Sequence, residues 1–172
     1  MGKGYLISVT HFSIMSGKDA HTVYSCKGND IFHTIGEMFF RSMEEIHAIS
    51  YAEYSEKLEN ELTVKGNRIQ SWQNKYFPSK EEKHYLIYGT ATEKGKDPMI
   101  EVFEYTGKDV FHALGEIQTE RLKSGRSVRL CYSDYLPSKV KFWHDEGFTN
   151  IPVWKDWYDS EGNEMNHDER ER

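Results

Sequence analysis

The sequence predicts an α+β protein made by tandem duplication of a β-β-α-β module, the copies related by a pseudo-two-fold axis, with helices packed on one face of an antiparallel or mixed sheet. Two observations carry this expectation. The segment Gly28 to Met38 recurs as Gly107 to Ile117 at an offset of 79, with Gly28, Asp30, Phe32, His33, Gly36 and Glu37 matched by identical residues. The register then extends outward in one order: Tyr5-Leu6-Ile7 with Tyr85-Leu86-Ile87, Gly17-Lys18-Asp19 with Gly95-Lys96-Asp97, Tyr51 and Tyr54 with Tyr132 and Tyr135, and Trp72 with Trp154. Self-similarity over a whole chain defines repeated folding units, and small drifts in offset place the insertions in loops. The expected boundaries are residues 1–80 for the first module, 81–160 for the second and 161–172 for a charged, flexible tail.

Each element has a local reason. Tyr5 to Phe12 alternates apolar and polar residues, as a half-buried strand does, and Tyr85 to Thr92 has the same character. A Gly-Lys-Asp turn leads in each copy to a second β-rich run, Thr22 to Cys26 and Ile100 to Tyr105, so each module opens with a hairpin. Asp30 and Asp109 then stand where an N-cap belongs. After them Ile31, Phe32, Ile35, Met38 and Phe39, and likewise Val110, Phe111, Leu114 and Ile117, recur at helical spacing. Third strands follow at 47–51 and 127–132. Residues 55–75 read as a further helix broken near Gly66-Asn67, while 138–158, with Gly147 and Pro152, reads as irregular. One extended sheet carrying both helices on one side is the favoured arrangement, ahead of two sheets.

Composition narrows the function. A formal charge of −6 argues against a nucleic-acid partner, which requires clustered Lys and Arg. No run of about 18 apolar residues marks a membrane span, and the expected location is cytoplasmic. Cys26 and Cys131 occupy non-equivalent positions, so they read as free thiols. Acidic residues crowd 44–61, where they read chiefly as solvated charge and secondarily as a contact for a basic partner.

The repeated pair His33/Glu37 and His112/Glu116 is the chemically richest feature. Residues four apart share a helical face, and here that face lies opposite the apolar one. The expectation is a solvated His–Glu contact or a crossing to the neighbouring module; with no further ligand in sequence, neither a metal nor a cofactor is expected. Gly36 and Gly115 sit at the same helical position in both copies. Since glycine there costs about 0.5–1 kcal/mol relative to alanine, close packing of a partner helix is the favoured reason. Tyr51, Tyr54, Tyr132 and Tyr135, with Trp143, Trp154 and Trp157, are the aromatic candidates for contact with a ligand or partner, core filling being the competing explanation.

No local signature assembles a catalytic triad. The functional expectation is therefore a non-catalytic protein that blocks or sequesters a protein partner, of the kind encoded by phages or mobile elements to inhibit host or defence machinery. The alternative is a small-molecule, nucleotide-type binder or an enzyme with its pocket between the modules. Association with a second copy of the chain stays open.

Overall fold

In the computed structural model, residues 3–27, 30–42 and 44–165 are described; Gly28 and Asn29 of the repeated motif, and 166–172 of the expected tail, lie outside them. The first half runs β1 (Tyr5–Ser13), β2 (Lys18–Cys26), α1 (Ile31–Arg41), β3 (Ile46–Glu53), α2 (Glu56–Val64) and β4 (Ile69–Ser71). The second repeats that order as β5 (Lys83–Glu93), β6 (Met99–Gly107), α3 (Val110–Lys123), β7 (Arg126–Asp134), α4 (Pro137–Asp145) and β8 (Val153–Trp154).

The strands form two four-stranded mixed sheets rather than the single sheet favoured from sequence. Their orders are equivalent, β3-β1-β2-β4 and β7-β5-β6-β8, with the last strand of each parallel to its neighbour. The alternating pattern of a strand specifies its faces but not which edge meets which. Here β7 meets the first half through two polar contacts: Ser127 Oγ donates to the Ile46 carbonyl of β3 (3.0 Å), and Arg129 Nη2 donates to the Ser42 carbonyl at the end of α1 (3.0 Å).

Both hairpins turn at a glycine in the left-handed region, Gly17 (φ 69°) and Gly95 (φ 81°), the conformation that residue tolerates best. Tyr5, Ile7 and Val9 of β1 pack on Ile31, Phe32, Ile35 and Met38 of α1. Their counterparts Tyr85 and Ile87 pack on Val110, Phe111, Leu114 and Ile117 of α3. The opposite face of the second sheet is covered by α4, whose Trp143 meets Tyr88 at 5.3 Å.

The region 138–158, expected to be irregular, is instead a helix followed by a strand. Pro137 stands in the first turn of α4, where its missing N–H is no loss, and Gly147 (φ 103°) follows the helix end. The expected tail is partly held in place: Tyr5 donates a hydrogen bond to the Glu161 carbonyl (3.0 Å), and Tyr158 bridges to Glu164.

Candidate functional site: two crossed Asp–His–Glu networks

Helices α1 and α3 cross at their glycines. A Cβ on Gly36 would lie 2.1 Å from the Phe111 carbonyl oxygen, and one on Gly115 would lie 1.8 Å from that of Phe32. Any side chain at either point would overlap backbone that cannot rotate away, so the close packing expected for these residues is the reason glycine is required. All of Ile31–Phe39 is buried, including the face opposite the sheet, because the other helix covers it.

At this crossing each capping aspartate also binds the histidine of the other helix. Asp30 Oδ1 accepts from the amides of Phe32 (2.9 Å) and His33 (3.2 Å), capping α1, while its Oδ2 accepts from His112 Nδ1 of α3 (2.5 Å). Asp109 Oδ1 likewise accepts from the amides of Phe111 (3.1 Å) and His112 (3.3 Å), and His33 Nδ1 lies 2.7 Å from both of its carboxylate oxygens. Serine would serve a helix N-terminus as well as aspartate does, but it has no second oxygen for the bridge.

The far nitrogen of each imidazole binds the glutamate of its own helix: His33 Nε2 to Glu37 Oε2 (2.7 Å) and His112 Nε2 to Glu116 Oε2 (2.5 Å). The glutamates in turn fix the segments after the last strands. Glu37 accepts from the amides of Lys75 (2.8 Å) and Tyr76 (3.3 Å), and Glu116 from those of Trp157 (2.7 Å) and Tyr158 (3.0 Å), both at an offset of 82. Of the two outcomes expected for the His–Glu pairs, the structure has the crossing to the neighbouring module.

An imidazole between two carboxylates donates from both nitrogens only as the cation. Burial opposes that charge at His33, but the bonds to Asp109 and Glu37 outweigh it and raise the pKa above the usual histidine value. At His112 burial also opposes, and the bonds to Asp30 and Glu116 hold the pKa well above that value.

The aromatic candidates divide by place. Tyr51 and Tyr132 stand at the crossing, where rings are also exchanged. Tyr158 of the second half stacks on Phe32 of the first (4.6 Å) with Tyr51 edge-on (5.9 Å). Tyr76 of the first half stacks on Phe111 of the second (4.8 Å) with Tyr132 edge-on (5.5 Å). Tyr54 and Tyr135 lie beyond the ends of β3 and β7; Tyr54 donates to Glu59, and Tyr135 stacks on His84 (3.8 Å). Trp143 is on α4, Trp154 is buried against Phe103 with its Nε1 donating to Glu116 Oε1 (3.3 Å), and Trp157 is exposed. The eleven candidates therefore do not share one groove.

The repeat is not chemically even. Asn74 in the first half, with Nδ2 bound to Thr34 Oγ1 (3.2 Å) and Oδ1 to Trp72 Nε1 (3.0 Å), corresponds to Asp156 in the second. Asp156 Oδ2 accepts from Tyr105 (3.1 Å), but Oδ1 is buried, makes no hydrogen bond and lies 4.0 Å from His112 Nε2. Burial, only partly countered by His112, raises the pKa of this carboxyl to about 6.

A separate cleft of about 300 Å³ opens in the first half between His11, Glu44, Arg41, Tyr24 and Trp72. A bulge in β1 at Thr10/His11 precedes it, His11 Nδ1 meets Glu44 at 2.5 Å, and Arg41 lies over the Trp72 ring at 4.4 Å. Sequence reasoning passed over this cleft, since His11 has Ala91 as its counterpart and no repeat drew attention to it. Some of the 44–61 acidity is thus engaged, through Glu44 and Glu59, rather than free in solvent.

Compared with protein-family models, with curated proteins and with solved structures, the chain matches none.

Proposed function

We propose that the chain is a non-catalytic binding protein that takes a protein partner through an exposed aromatic patch. The observation that carries this reading is an asymmetry in the surface rings. Phe40 meets Tyr76 (5.9 Å) and Tyr132 (5.7 Å), and the adjacent Phe77 is 82% exposed. At the corresponding positions of the second half, Phe40 is replaced by Thr119 and Phe77 by Asp159. Folding of a repeated unit that tolerates threonine and aspartate there does not call for two phenylalanines, and large rings with few rotors are favoured at binding hot spots. The residues with the strongest catalytic character, His33, Glu37, His112 and Glu116, are buried and committed to joining the halves.

In such a role the protein blocks or sequesters its partner. Its assignment to phage- or mobile-element-type inhibitors rests on the class of small acidic chains alone. Affinity capture with the wild-type chain and with Phe77→Ser in parallel tests the reading. A protein retained by the first and lost with the second is expected; at 82% exposure the substitution should alter stability by no more than about 0.5 kcal/mol. Identical capture by both chains would refute the assignment of the patch.

A further inference from the structure

We infer that His112, Glu116 and Asp156 form a binding site for a divalent transition metal, with Zn²⁺ as the best-fitting ion. His112 Nε2, a Glu116 oxygen and an Asp156 oxygen lie within 4.8 Å of one another. One imidazole nitrogen and two carboxylate oxygens suit Zn²⁺, which takes such ligands at about 2.0–2.2 Å, so that tetrahedral neighbours stand roughly 3.3 Å apart. The separations from Nε2, 2.5 Å to Glu116 and 4.0 Å to Asp156, bracket that value, so small side-chain rotations bring the three donors around one ion.

Two observations beyond the cluster point the same way. The Asp156 Oδ1 atom is buried without a hydrogen bond, a costly state that coordination would relieve. In the first half Asn74 accepts from Trp72 Nε1, whereas the matching Trp154 Nε1 donates to Glu116, and Ala113, in place of Thr34, offers Asp156 no hydroxyl. The surroundings also match a metal's outer shell. A ligating histidine ordinarily donates its other N–H to a carboxylate, which fixes the ring and strengthens the ligand, and Asp30 occupies that place at His112 Nδ1. Tyr105 orients Asp156, while the amides of Trp157 and Tyr158 orient Glu116.

Charge supports the inference as well. Three carboxylates, Asp30, Glu116 and Asp156, converge on one imidazole, so even with a protonated ring the cluster carries excess negative charge. A divalent cation replacing the Nε2 proton reduces that excess and leaves the Nδ1–H bond to Asp30 intact. Asp156, with its side chain about one-third exposed, gives the ion its route from solvent. Through Asp30, which caps α1, the ion would brace the second half against the first.

The first half supplies a natural control. His33 and Glu37 repeat the pair, but Asn74 cannot provide the third anionic ligand. Asparagine is therefore sterically acceptable at this point of the fold, and Asp156→Asn should remain folded. Full-length protein stripped with chelator should bind one equivalent of Zn²⁺ by calorimetric titration, and Asp156→Asn, with an unchanged circular dichroism spectrum, should bind it at least 100-fold more weakly. Failure of the wild type to bind Zn²⁺ would overturn the inference. Equal binding by the variant would do so too, since the ion would then sit on other histidines.

Discussion

Gly115→Ala is expected to lower the thermal unfolding midpoint, by roughly 6–12 °C, although alanine is the better helix former. Propensity alone favours alanine inside a helix by about 0.5–1 kcal/mol, so a helix packed only on its sheet would gain stability from the change. The new methyl would instead fall 1.8 Å from the Phe32 carbonyl oxygen and 2.9 Å from the Gly36 nitrogen, both backbone atoms of α1. Relief requires the helices to move apart, which stretches the His33–Asp109 and His112–Asp30 bonds at the same crossing. Overpacking of a dense interior costs about 1–3 kcal/mol, and the unyielding partner here argues for about 3. In a chain of this size that corresponds to the stated loss, at roughly 2–4 °C per kcal/mol. Differential scanning fluorimetry decides the matter by the sign of the shift alone.

Glu37→Ala should cost about 3–5 kcal/mol in urea denaturation, while Glu61→Ala, on the exposed side of α2, should change stability by about 0.5 kcal/mol or less. Glu37 is fully buried and accepts from His33 Nε2 and from the amides of Lys75 and Tyr76. Its removal strands the buried His33 Nε2, unties the Lys75–Tyr76 segment from α1, and leaves a buried imidazolium with Asp109 as its remaining counter-ion. Loss of a partner from a buried charged pair is costly for the same reason: the surviving charge keeps its desolvation cost and loses its compensation. A cost near that of Glu61→Ala would mean that the Glu37 bonds add little to the stability of the fold.

The two positions differ in how readily they could be read from sequence. Asp30 and Asp109 announce helix starts through residue type and place, and Gly36 and Gly115 announce a close approach because glycine in a helix needs a reason. That His33 and Glu37 turn away from the apolar face also follows from the 100° spacing. What takes up the face they occupy does not follow, because the bonding partner of His33 is an aspartate 76 residues away, brought near by a helix crossing. Two short strands escaped for a different reason. Strands β4 and β8 span only Ile69–Ser71 and Val153–Trp154, too few residues for an alternating pattern; they follow α2, whose break near Gly66 was legible, and α4, which was not. Gly147, read together with Pro152 as a sign of irregular structure, instead follows the end of α4, whose first turn holds Pro137.

The number of sheets had no signal in periodicity, which orients a strand without naming its neighbour. For the Asp156 site a signal did exist. Asn74 and Asp156 fall in the same register as Trp72 and Trp154, and a comparison of the copies position by position exposes the change from amide to carboxylate. The aromatic patch at Phe40 and Phe77 could have been found in the same way, by asking where the copies differ rather than where they agree.

Joining the halves through crossed His–Asp bonds has a thermodynamic consequence. Asp30 and Asp109 each cap their own helix and bind the histidine of the other, so each buried imidazole depends on the opposite half for its Nδ1 partner. Tyr158 on Phe32 and Tyr76 on Phe111 add apolar contact across the same boundary. Calorimetric unfolding of the full-length chain in the presence of chelator measures this most directly. A single transition is expected, with equal van't Hoff and calorimetric enthalpies, because the halves lose their shared crossing together. Two resolved transitions, or a van't Hoff enthalpy near twice or half the calorimetric one, would contradict it.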